Sequence, residues 1–189
     1  MDDKLTTEEK QVLLRLARSA LERGVRGQDP PAVDLKTMTP RLRQSGASFV
    51  TLTVKGDLRG CIGALEPSQP LALDVCEHAL AAALEDPRFR PVAPEELEHI
   101  DVEVSRLTLP RDLEYIDAED LLRKLRPGVD GVILRDGRLR ATFLPQVWEK
   151  LPDRAEFLDH LCSKMGATPG VWRQRHLQVQ TYQVEEFHE

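Results

Sequence analysis

Apolar residues recur at helical spacing early in the chain: Val12, Leu13, Leu16, Ala17, Ala20 and Leu21. Thr6 and Glu9 precede them at capping-box spacing, and Gly24 ends the run, which predicts a first helix. Gln28-Asp29-Pro30-Pro31 reads as a loop, and the stretch to about Gln44 as an irregular flap. The period then changes to two. Ser48 to Val54 alternates β-branched residues, Lys55-Gly56-Asp57 supplies a tight turn, and Leu58 to Leu65 returns as a second strand. A helix follows over Leu71 to Glu85, and its small face of Ala72, Ala79, Ala82 and Ala83 suits close packing on a sheet. Pro94 to Leu97 reads as a helical turn. His99 to Leu109 reads as a strand with Ile100, Val102 and Val104 on one face and Asp101, Glu103 and Ser105 on the other.

The second half repeats this grammar. Asp117 and Asp120 open a helix through Leu125, and Gly131 to Phe143 is a hairpin around Asp136-Gly137. Pro145 starts a short helix. Asp153 and Glu156 have capping-box spacing ahead of Phe157, Leu158, Leu161, Cys162 and Met165, and Gly166 closes that run. A last strand is predicted from Leu177 to Val184. Strands arriving as hairpins imply an α+β protein with mostly antiparallel sheet and helices on one side. Gly56-x-Leu58-Arg59-Gly60-Cys61-Ile62 also echoes Gly137-x-Leu139-Arg140-Ala141-Thr142-Phe143. The echo reads either as a duplication or as recurring turn and strand chemistry.

Composition narrows the function classes. The 189 residues suit one domain or two packed subdomains, with 41% hydrophobic residues to build a core. Acidic residues number 32 against 26 basic ones, and the basic ones are dispersed, which disfavours nucleic acid as a partner. The cysteines, Cys61, Cys76 and Cys162, lie far apart and form no C-x-x-C pair. They read as reduced thiols of a cytoplasmic protein, outside any disulfide framework or structural zinc site. Met1-Asp2-Asp3-Lys4 has no apolar leader behind it. Leu71 to Leu84, the longest apolar stretch, is interrupted by Asp74, Glu77 and His78 and is too short to span a membrane. No spaced histidine pair, phosphate loop, dinucleotide fingerprint or nucleophile elbow occurs, so no cofactor or metal is expected.

The most informative segment is Leu58-Arg59-Gly60-Cys61-Ile62-Gly63. Strand alternation places Leu58, Gly60 and Ile62 on a core face, with Gly60 allowing close backbone approach. It places Arg59, Cys61 and Gly63 on the opposite face, with room for a ligand beyond Gly63. A cation beside a thiol favours thiolate, so one reading makes Cys61 an activated nucleophile. The competing reading makes Cys61 a half-buried apolar residue and Arg59 a structural clamp.

That hexapeptide, followed in order by Asp86-Pro87-Arg88-Phe89, Glu103-Val104-Ser105, Leu144-Pro145-Gln146-Val147 and Cys162-Ser163-Lys164, resembles the AMMECR family. Its bacterial and archaeal members are called AmmeMemoRadiSam system protein A. The resemblance covers nearly the whole chain as a single domain, residues 1–189. It implies two closely packed subdomains, each a two-layer sandwich of sheet and helices, with the hexapeptide near the cleft between them. It also implies two partners, a Memo-like protein and a radical SAM protein. It implies no reaction.

Other residues join the candidate site. Asp86 and Arg88 form either a structural ion pair or a ligand clamp, and Arg88 with Arg59 suits a small anionic ligand. Glu103 and Ser105 share a strand face, and an inward Glu103 is expected to pair with Arg59 or Arg140. The expected binding set is therefore Arg59, Gly60, Gly63, Asp86, Arg88, Glu103, Ser105 and Gln146, with Cys61 as the catalytic candidate. The leading expectation is a cytoplasmic accessory protein that binds a partner or ligand around the hexapeptide. The second is an enzyme with Cys61 as nucleophile.

Overall fold

The Thr6–Glu9 capping box closes as its spacing requires: the Glu9 N–H donates to the Thr6 hydroxyl and the Thr6 N–H to the Glu9 carboxylate. It starts α1 (Thr7–Val25) in a computed structural model that describes residues 4–189. The leader reading of Met1-Asp2-Asp3 lies outside the described residues. The chain forms two compact units: one runs to Thr108 and resumes over Glu185–Glu189, and the other is Leu109–Val184.

The first unit continues with α2 (Pro40–Arg43), β1 (Ser45–Val54), β2 (Asp57–Gly63), β3 (Gln69–Pro70), α3 (Leu71–Leu84) and β4 (Ile100–Leu107). The second contains β5 (Arg111–Asp112), α4 (Ala118–Lys124), β6 (Gly131–Asp136), β7 (Leu139–Phe143), α5 (Arg154–Met165), α6 (Val171–Gln174) and β8 (Gln178–Tyr182). The strand β9 (Val184–His188) then joins β4 in the first sheet. The strand orders are β2-β1-β4-β9, with β3 off the side of β1, and β5-β8-β6-β7. The protein is α+β with two sheets, and every strand pairing whose register is defined is antiparallel.

Three boundaries differ from the sequence reading, each for a local reason. The stretch read as a flap is helical in two places, Leu35–Thr37 and α2. Leu42 is buried there, and Thr39 and Arg41 both reach Glu9 of α1 at 2.5 and 3.5 Å, so packing and polar contacts fix it. The second hairpin turns on Gly137-Arg138 instead of Asp136-Gly137, because Asp136 still pairs with Leu139. Gly137 then holds the first central position with φ 59°, where a side chain would be strained. The last strand divides at Gln183. Tyr182 is buried in the second unit, where its hydroxyl meets Thr142 at 3.1 Å, while Phe187 joins the first unit's core. Residues five apart point to opposite faces of one straight strand, so a break lets each serve its own sheet.

In the first unit α1 and α3 cover one face of the sheet. Leu13 and Leu21 from α1 and Val75 and Ala79 from α3 meet Val50, Leu52, Val102 and Val104, all fully buried. The small face of α3 does what its alanines suggest: a Cβ on Gly60 would overlap the Ala82 carbonyl oxygen, so strand and helix backbones touch there. In the second unit Phe157 of α5 stacks on Trp148 with ring centroids 3.6 Å apart and meets Phe143 edge-on at 5.3 Å. The Tyr115 hydroxyl accepts the Leu177 N–H at 2.8 Å and donates to its carbonyl at 2.9 Å, which pins the entry to β8.

Candidate functional site around Cys61

Register places each residue of the hexapeptide. Phe49 pairs with Gly63, Thr51 with Cys61, and Leu52 with Gly60, but Thr53 pairs with Leu58. Arg59 is therefore the extra residue of a β-bulge. A bulge resets the two-residue alternation and re-aims side chains. Leu58 shares the face of Thr53, away from the buried Leu52, and is 44% exposed. The expectation that Leu58 anchors the core is thus overturned, while Gly60 and Ile62 keep their core-facing places.

The bulge also sets the role of Arg59. Its Nε donates to Glu96 Oε1 at 2.8 Å and one Nη to Oε2 at 3.0 Å, a two-pronged pair with the short 3-10 helix Pro94–His99. Arg59 and the Ala93 N–H together hold the Glu96 carboxyl down at about 2. The guanidinium is committed to Glu96, contrary to the expected pairing with the thiol or with Glu103. Sequence reasoning missed Glu96. Its place three residues after Ala93 signals a helix start, but nothing in that spacing points to Arg59.

Asp86 and Arg88 sit on the outer edge of β2, an edge strand. The Cys61 N–H donates to Asp86 Oδ2 at 2.8 Å, and Arg88 donates to the Cys61 carbonyl at 3.2 Å. Arg88 grips Asp86 in turn, Nε to Oδ1 at 3.0 Å and Nη to Oδ2 at 2.7 Å. Two side chains thus occupy the positions of a neighbouring strand, which blocks an exposed backbone edge. Arg88, with help from the Cys61 and Arg88 backbone N–H groups, holds the buried Asp86 carboxyl far below the usual range. Asp86 in turn raises the Arg88 pKa, and Cys61 adds more weakly to the same shift.

Across the face opposite α1 and α3 the sheet makes rows. Cys61, Thr51 and Glu103 form one row, and Gly63, Phe49 and Ser105 form the next. Cys61 is partly buried, and its Sγ accepts a hydrogen bond from the Thr51 hydroxyl at 3.3 Å. The Glu103 side chain makes no hydrogen bond or ion pair among the described residues, and the expected pairing with Arg59 is overturned because Arg59 holds Glu96 instead. The expected space beyond Gly63 is filled: a Cβ there would overlap the Phe49 ring. Six candidates therefore lie around Cys61: Arg59, Gly60, Gly63, Asp86, Arg88 and Glu103. Ser105 is buried one row away, and Gln146 is an exposed residue of the second unit's 3-10 helix Pro145–Glu149.

The other thiols differ in kind. Burial pushes Cys76 up to about 11 and raises Cys162 as well, so both stay protonated. Among the described residues no group of three His, Cys, Asp or Glu side chains is placed to hold a metal, and no helix is long and apolar enough to cross a membrane.

The internal echo extends beyond turn chemistry. The sheet orders β2-β1-β4 and β7-β6-β8 correspond, and each return strand is followed by a helix on the core face. Cys61 opposite Thr51 matches Thr142 opposite Ile133. The Thr142 carbonyl accepts Lys164 Nζ at 3.0 Å, as the Cys61 carbonyl accepts Arg88.

These features define a class: a two-unit α+β protein whose first sheet carries a bulged, edge-capped Leu-Arg-Gly-Cys-Ile-Gly strand. The chain belongs to the AMMECR1 family, which matches residues 14–187. A protein of Methanothermobacter thermautotrophicus is 43% identical over 98% of this chain and 96% of its own. A protein of Methanopyrus kandleri is 40% identical over 100% of this chain and 92% of its own. The crystal structure of an uncharacterized protein from Pyrococcus horikoshii shares the fold with a TM-score of 0.76 and 35% identity, covering 98% of this chain and 93% of that one.

Proposed function

We propose that this protein is an accessory binding protein whose first sheet docks a protein partner on the face carrying Leu58 and Cys61. The bulge at Arg59 carries this reading. It takes Leu58 out of the core and sets it 44% exposed beside the Cys61–Thr51–Glu103 row. An apolar anchor next to polar groups is what a docking surface needs. The arginines once suited to an anion are engaged with carboxylates, Arg59 with Glu96 and Arg88 with Asp86, which turns the reading from a small anion toward a protein. The partners are the Memo-like protein and the radical SAM protein that the family resemblance implies, and the setting is the cytoplasm.

Co-purification of tagged full-length chain with each partner tests this reading. Leu58→Asp is expected to abolish capture while thermal unfolding stays unchanged. Capture that survives Leu58→Asp, or no capture of either partner by the wild type, overturns it. A thiol enzyme is the second reading, favoured by a partly exposed Cys61 thiol that accepts the Thr51 hydroxyl at 3.3 Å. It requires that Cys61→Ser lose a turnover that Leu58→Asp keeps.

A further inference from the structure

We draw no further inference here: the strongest candidate, the Ser48–Asp74–His78 cluster between β1 and α3, in which the Asp74 carboxylate accepts the Ser48 hydroxyl at 2.6 Å and lies 3.2 Å from His78 Nδ1, is buried in the first unit, and nothing among the described residues shows what would reach or occupy it.

Discussion

The Asp86 carboxylate accepts the Cys61 backbone N–H at 2.8 Å, so the loop after α3 holds the strand that carries the thiol. The same carboxylate receives three further N–H groups of Arg88, from its backbone, Nε and Nη. Losing a buried carboxylate with charge-assisted bonds costs about 2 kcal/mol. Asp86→Ala is therefore expected to lower stability by about that much in urea unfolding, and to speed exchange of the Cys61 amide. An unchanged midpoint with slow exchange would mean that the clamp is incidental.

Acid should weaken the same corner. Asp86 and Glu96 both have folded-state pKa values below their ordinary ones, so the unfolded chain binds their protons first. Their stabilisation is complete above the ordinary carboxylate range and is lost as pH falls. For Glu96 the loss runs from its ordinary 4.5 down through about 2. Denaturant midpoints measured down this range should fall for the wild type and fall less for Glu96→Gln.

The bulge gives the hexapeptide an uneven sensitivity. Gly60→Ala forces a methyl into the Ala82 carbonyl and should destabilise by about 1–3 kcal/mol. Leu52→Ala, opposite it and fully buried, should cost about 2–5 kcal/mol. Leu58→Ala should cost about 0.5 kcal/mol or less, as surface changes do. Simple alternation makes the opposite forecast for Leu58, so unfolding midpoints of these variants separate a bulged strand from a regular one.

Thiol labelling should be selective. Cys162 is fully buried and Cys76 is 7% exposed with its pKa pushed up to about 11, while Cys61 is more accessible. N-ethylmaleimide on native protein, read by peptide mass spectrometry, should modify Cys61 first and the other two only in denaturant. Faster labelling of Cys76 would contradict the described burial.

Most elements were legible because their signals are local. Thr6 with Glu9, Asp153 ahead of Phe157, and the alternation of Ile100, Val102 and Val104 act within a few residues. What escaped depends on partners distant in sequence. The parity of Leu58 hinges on a bulge seen only against Thr53, and the fate of Arg59 on Glu96, 37 residues away. Phe49 filling the space beside Gly63 is a packing event with no sequence mark. The flap became helix because Leu42 found a core and Glu9 bonded Thr39. The six-residue motif was visible as a motif, but the edge clamp that Asp86 and Arg88 build on it was not.

The second unit is spliced into the first between β4 and β9, which has a consequence for biosynthesis. A ribosome completes β4 well before it delivers residues 184–188, the neighbour that β4 requires. At ordinary elongation rates the delay is on the order of 4 to 16 s. Throughout it β4 is a bare edge strand of alternating Ile100, Val102 and Val104, the kind of surface that recruits foreign strands. The nascent chain is therefore most vulnerable to aggregation while the inserted unit is being made, and arrival of Phe187 ends that exposure.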